Sequence, residues 1–265
     1  MYIPASQHLQ PADDYLVYEQ PLAERMRTFL RIEFLYQQSL YHSEMDAPWS
    51  SRAAVDSLLG IMAILTRGDV RGDVLKELER HTVELNRYQA KSGVDGGRLQ
   101  SLLTNLSSLR DQLNGQNTRF LQRLKESDFL SAVKHCSAIP GGTCEFDLPD
   151  YNHWLHRDMQ ERRRDYENWI ADLRPLCDGV AELLWLTRES ISAAESTAKA
   201  GMFQQALEKG SSVQMVRVAV PRIANVFPEI SGSQQRFTVR FLQWQDTDHR
   251  PIQTPDDIDF LLYLC

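Results

Sequence analysis

The stretch "QQRFTVRF", Gln234 to Phe241, sets Arg236 and Arg240 four residues apart. In an extended chain alternate side chains share a face. Arg236, Thr238 and Arg240 then point one way, and Phe237, Val239 and Phe241 the other. The two guanidinium groups would leave the strand ~13 Å apart. Each can donate charge-assisted hydrogen bonds to a carboxylate or a phosphate, so the row suits an acidic peptide or a nucleic-acid backbone. Arg217, in "VQMVRVAV" on a candidate neighbouring strand, would extend it. A plain solvent-facing strand also holds Arg and Thr, and the pattern alone leaves both readings open.

Cys136, Cys144, His153 and His156, with His135 alongside, are the residues a zinc ion would use. Zinc needs four donors converging as a tetrahedron, and C-x7-C-x8-H-x2-H fits no usual site. Two histidines three apart do share a helix face. Buried thiols and ordinary helix-face histidines are the plainer account. "IPGG" lacks the GK[ST] of a phosphate loop and the GxGxxG of a dinucleotide fold, so it reads as a turn. There is no G-x-S-x-G elbow, and nothing promotes a Cys–His nucleophile. The reading is a protein that is not an enzyme, with no cofactor and no metal. "RGD" occurs at Arg67–Asp69 and at Arg71–Asp73, and reads as a helix stop followed by an N-cap. "RRR", Arg162 to Arg164, has Glu161, Asp165 and Glu167 nearby and reads as a solvated helix face.

The elements that must position these residues come from periodicity. The first dozen residues read as a loose tail. A short strand near Leu16 to Glu19 stops at Pro21. "ERMRTFLRIEFLYQQSLYH" reads as a largely buried helix, with Met26, Phe29, Leu30, Phe34, Leu35 and Leu40 apolar and a thin seam of Glu24, Arg27 and Arg31. Ser50 or Ser51 can cap the next helix, with Gly68 ending it. Asp73 caps a third, with Val74, Leu75, Leu78 and Leu85 on one side. "SGVDGG" is a loop. Leu99, Leu102, Leu103, Leu106, Leu109 and Leu113 make one stripe on a fourth, and the two helices read as an antiparallel hairpin. Asp150 and Asp158 can cap further helices, and Pro175 opens the last of them. The period then changes to two in "VQMVRVAV", "RFTVRFLQW" and "DIDFLLYL", while "MFQQALE" fits either strand or short helix. The fold class is α+β: a mainly α-helical domain with a smaller antiparallel β domain formed by the C-terminal strands and an N-terminal strand. The expected division is 1–22 as tail and joining strand, 23–198 helical and 199–265 β.

The chain has 265 residues, 42% of them hydrophobic, enough for one or two domains with a real core. Its net charge of −7 argues against non-specific coating of nucleic acid. The four cysteines show no CxxC spacing, the N-terminus has no signal-peptide pattern, and no apolar run approaches the ~18 residues of a membrane span. These features suggest a cytoplasmic protein with reduced thiols.

"PLAERMRTFLRIEFL", "LTRGDVRGDVLKELER", "IPGGTCEFDLPDYNHWLH", "NWIADLRPL" and "PEISGSQQRFTVRF" resemble, in order, the successive motifs of the ZapD family of bacterial cell-division proteins. The resemblance runs from about Tyr18 to the C-terminus; the residues before it look like an extension. It implies a cytoplasmic, non-enzymatic partner of FtsZ, the tubulin-like GTPase of the division ring, acting at mid-cell. It also implies a homodimer with a helical, dimerising domain and a β domain, which binds the C-terminal tail of FtsZ and bundles its filaments. Carried over residue by residue, the family's binding and bundling arginines fall on Arg236 and Arg240 in "RFTVRF", Arg67 in "RGDVR" and Arg31 in "MRTFLR". A basic family position falls on Asp128 and a histidine on Asn152, so these two do not carry over. Lys125 and His153 stand next to them as weaker candidates, with Arg217. The competing function is a nucleic-acid-binding module that uses the same basic strand face with Trp244.

Overall fold

The structure, a computed structural model, describes residues 14–89, 95–115 and 121–265. The expected N-terminal tail, and part of the "SGVDGG" loop, lie outside the described residues. The fold is α+β. Among the described residues the elements run β1 (Tyr15–Pro21), α1 (Glu24–Ser43), α2 (Pro48–Leu65), α3 (Val70–Asn86), α4 (Gly96–Gly115), α5 (Gln122–Lys125), α6 (Asp128–Cys136), α7 (Pro149–Leu155), α8 (Met159–Ile170), α9 (Arg174–Glu189), β2 (Ala194–Ala198), β3 (Met202–Ala206), β4 (Met215–Pro221), β5 (Val226–Gly232), β6 (Arg236–Gln243), β7 (Ile252–Gln253) and β8 (Ile258–Leu264). Two units form. One is Leu30–Leu183; the other joins the described residues up to Phe29 to Leu184–Cys265, so both boundaries fall inside helices, α1 and α9.

In the helical unit α2 is apolar over most of its girth and buries Ala54, Val55, Leu58, Leu59, Ile61, Met62 and Leu65. Its start differs from expectation. The N-cap is Ala47 with Pro48 at the first turn, ahead of Ser50 and Ser51, because proline's fixed φ suits that position. The helix ends at Leu65 before reaching Gly68, and Asp69 rather than Asp73 caps α3, its carboxylate accepting from the Gly72 N–H at 3.0 Å. The first "RGD" is thus a helix stop followed by a cap. Leu148 precedes Pro149 at the start of α7, so Asp150 lies inside that helix, while Asp158 caps α8 as expected. The leucine stripe of α4 is buried at Leu99, Leu103, Leu106, Leu109 and Leu113. Arg71 at the start of α3 donates to the Leu113 carbonyl near the end of α4, and Arg110 pairs with Glu79 at 2.9 Å, which makes the hairpin antiparallel. Phe34 departs from the expected buried set: it is 65% exposed, and Ile32, Glu33 and Tyr36 face inward in its place.

The other unit is a two-sheet sandwich. One sheet has the order β1-β4-β8-β2 and the other β3-β6-β5, with β7 beside β6, and every pairing is antiparallel. The N-terminal strand joins the first sheet against β4, with Tyr18 opposite Val218. Val216, Val218, Val220, Phe260 and Leu262 of one sheet meet Val226, Phe237, Val239 and Phe241 of the other in a continuous core. The Phe241 and Phe260 rings lie 5.1 Å apart. "MFQQA" is a strand. The sequence pattern missed β2, β5 and β7. "AESTA" is small and polar, and Pro228 with Glu229 breaks the alternation of β5. A two-residue turn links β2 to β3, with Ala200 and Gly201 both at positive φ (46° and 71°), the geometry that favours a tight hairpin link. A Cβ on Gly201 would come 2.5 Å from the Thr254 carbonyl oxygen.

Phe241 is fully buried between the sheets. Phe241→Ala is expected to lower the unfolding free energy by about 3–5 kcal/mol. A urea titration followed by tryptophan fluorescence measures this, and a loss below about 1 kcal/mol would mean that the two sheets do not close on this residue.

Candidate functional site

Strand β6 pins its arginines by what lies on its other face. Phe237, Val239 and Phe241 are buried in the sandwich, so Arg236 and Arg240 are held outward on the surface of the β3-β6-β5 sheet. The cross-strand partners complete that face. Arg240 stands between Met202 of β3 and Glu229 of β5, and Thr238 stands between Gln204 and Ser231. Arg236 faces Ala206. The Gln204 side-chain amide donates to the Thr238 hydroxyl at 3.1 Å. Leu242, opposite Phe227, and then the exposed Trp244 continue the same alternation, so the face grades from basic to apolar along β6.

Glu229 pairs directly with Arg240, both side chains about half exposed. Sequence periodicity alone does not identify this residue, although the turn before Arg236 encodes the register that places it there. The carboxylate aims one guanidinium and also competes with any acidic ligand for it. Arg236 is exposed and makes no ion pair among the described residues.

Arg217 does not extend the row. It lies on β4 of the other sheet, where Val216 and Val218 point into the core and Arg217 points outward, so the sandwich core separates it from Arg236 and Arg240. There it forms an ion triad with Glu19 of β1 and Arg188 of α9. Arg188 holds Glu19 through two hydrogen bonds of 2.8 Å. Arg217 Nε is 2.9 Å from Glu19 Oε1, close enough for an ion pair but not aligned as a hydrogen bond. The Arg217 guanidinium also lies 5.2 Å from the Tyr263 ring centroid. Burial opposes ionisation of Glu19, but the hydrogen bonds and charges of Arg188 and Arg217 outweigh it and hold the carboxyl below its usual range.

The remaining sequence candidates lie in the helical unit. Arg31 on α1, Arg67 in the turn between α2 and α3, Lys125 at the end of α5 and His153 on α7 are all exposed. Lys125 lines a surface groove with Gly68 and Asp69, so it neighbours the turn that carries Arg67. "RRR" is more than a solvated face. Arg162 is buried and reaches Asp46 at 2.7 Å and the Ser51 hydroxyl, while Arg163 pairs with Glu44 at 2.6 Å. Long-range acids, not the adjacent ones, take up this charge.

The four cysteines are free. Burial pushes the Cys177 thiol up, which suits a packing role. "IPGG" is a run of turns in which a Cβ on Gly142 would strike the Cys136 carbonyl oxygen, and Arg52 donates to the Thr143 carbonyl beyond it at 2.7 Å. Among the described residues no group of three or more His, Cys, Asp or Glu side chains could hold a metal ion. No helix among the described residues is long and apolar enough to cross a membrane.

The family model "ZapD: Cell division protein" matches residues 30–240 of the chain. Three curated relatives carry the name "Cell division protein ZapD". The one from Methylococcus capsulatus is 39% identical over 94% of this chain and 98% of its own length. The one from Chromobacterium violaceum is 35% identical over 94% and 98%. The one from a Janthinobacterium species is 33% identical over 94% and 99%.

The triad around Glu19 has a defined pH signature. A carboxyl with a depressed folded pKa contributes stability above its unfolded value, 4.5, and loses it as the pH falls through the folded one. Glu19→Gln should therefore cost about 3 kcal/mol at pH 7 by leaving two arginines without their anion. The gap from the parent should narrow as the pH falls below 4.5 and through the depressed folded pKa. Urea titrations at pH 7 and pH 3 test this, and an equal gap at both would contradict it.

Proposed function

Because the chain belongs to the ZapD family of cell division proteins, we propose that it is a non-enzymatic division factor that binds the C-terminal tail of FtsZ and, as a homodimer, bundles FtsZ filaments at mid-cell in the cytoplasm. The observation that carries this reading is the outward arginine pair of β6, kept on a rigid sandwich in an acidic protein. Arg236 and Arg240 supply charge-assisted hydrogen bonds to acidic residues of the tail. Leu242, Phe227 and Trp244 supply apolar contact beside them. Arg67 and Arg31, with Lys125 and His153, are the basic positions that would serve binding or bundling from the helical domain, which also supplies the dimer contact. Leu99, Leu103, Leu106, Leu109 and Leu113 of α4 are already buried within one chain, so that contact would use other residues.

Bundling then follows from valency. Each dimer carries two tail sites and each filament many tails, so modest single-site affinity yields strong cross-linking. A monomer would bind without bundling. The nucleic-acid alternative fits less well, because Glu229 sits among the arginines and the net charge is −7.

Arg236→Glu combined with Arg240→Glu should weaken binding of the isolated FtsZ tail peptide at least about tenfold in a calorimetric titration, with the thermal unfolding curve retained. Unchanged affinity would sink the assignment. Parent binding should weaken as salt rises past about 0.15 M. Filament co-pelleting should require the FtsZ tail. Retention of DNA or RNA at that salt without co-pelleting would favour the alternative.

A further inference from the structure

Hydrogen-bond direction in the β3-β6-β5 sheet follows from its register. The Leu207 N–H donates to the Gln235 carbonyl and the Phe241 N–H to the Gly201 carbonyl. Odd-numbered residues of β3 therefore point their backbone groups at β6. Gln204 and Ala206, opposite Thr238 and Arg236, point their N–H and C=O groups away, along the open edge of the sheet.

Each sheet has two edges, and three of the four edge strands carry residues that discourage pairing. β1 has Glu19 and Pro21, and β2 has Glu195. β5 has Glu229 and Pro228, and Pro228 falls where an N–H would face outward. β3, "MFQQA", carries neither a charge nor a proline. With β5 it is one of the two edges that flank the arginine strand. Arg236 lies beside the small Ala206, whose methyl group leaves its guanidinium free to extend over the edge.

We propose that an acidic peptide segment binds by adding a strand to the β3 edge, exchanging backbone hydrogen bonds with Gln204 and Ala206 while its acidic side chains meet Arg236 across β3. This rests on the FtsZ-tail reading and specifies its geometry. An added strand lies ~10 Å from β6, two strand spacings away, a gap that an extended arginine and a carboxylate span together. Backbone pairing supplies affinity, and alternate side chains supply specificity. Only every second peptide residue faces the arginines, so acidic residues at alternate positions are selected.

Gln204→Pro removes the outward N–H without touching the β3–β6 ladder, and Gln204→Ala is the control for loss of the side-chain amide. The tail peptide should bind Gln204→Pro at least about tenfold more weakly than Gln204→Ala, since both lack the side-chain amide and only the proline lacks the outward N–H. A set of tail peptides, each N-methylated at one backbone position, should show sensitivity at every second residue against the unmodified protein. This second measurement decides the matter if Gln204→Pro fails to fold. Parent-like binding by folded Gln204→Pro, or N-methyl sensitivity without alternation, overturns strand addition. If the Arg236/Arg240 double variant has lost binding in either case, the tail lies across the face and the FtsZ-tail reading stands. If the double variant binds as the parent does, both fall together.

Discussion

The two-sided character of β6 is the constraint on which the rest of the functional surface depends. Three residues, Phe237, Val239 and Phe241, are clamped between two sheets. A strand has only two faces, so fixing one fixes the other. The same clamp sets the register against β3 and β5, and the register decides which backbone groups are left unpaired at the edges. Side-chain chemistry and backbone chemistry of the surface are thus consequences of one packing event. A one-residue slip would turn the arginines into the core, where their burial without partners is prohibitive. That penalty is part of what keeps the arginines on the surface.

Much of this was legible in the sequence, because alternation survives wherever one strand face is buried. β4, β6 and β8 show it. The leucine stripe of α4 shows the helical equivalent. The failures have separate physical causes. Asp73 and Asp69 are equally good caps by residue type, and the choice went to the residue nearest the end of α2. Ser50 and Ser51 lost to Pro48, whose ring suits a first helical turn and whose position lies further upstream. Phe34 looked buried because its helix is rich in apolar residues; burial depends on which side neighbours occupy. Arg217 reads from the sequence as part of a patch, but strands adjacent in the chain need not be adjacent in a sheet. In a sandwich, successive strands often change sheets, and here the core intervenes between Arg217 and the pair on β6. Glu229 becomes visible only after the turn before β6 is counted.

The charge arrangement follows a common rule across both units. Arginines that are buried or half-buried are matched to acids distant in sequence: Arg162 to Asp46, Arg188 and Arg217 to Glu19. Each such pair fastens two segments that chain connectivity alone would leave apart. The exposed arginines on β6 are of another kind. One is partly matched by Glu229, and Arg236 is held out on the open face. A protein with excess acid has carboxylates to spare, so an exposed arginine with no ion pair among the described residues marks a place where matching was not imposed.

The sandwich is assembled from both ends of the chain. β1 pairs with β4, whose first residue, Met215, lies 200 positions after Tyr15. On a ribosome adding ~5–20 residues per second, the first strand waits ~10–40 s for its partner. During that interval Leu30–Leu183 emerges as an uninterrupted segment able to collapse by itself, while "YLVYEQP" remains an unmatched strand with aromatic and aliphatic side chains exposed. Vectorial synthesis therefore imposes an order: helices first, sheet last. The core behind Arg236 is completed only when β8, which brings Phe260 and Leu262, leaves the exit tunnel, so a chain stopped before β8 would lack a finished sandwich.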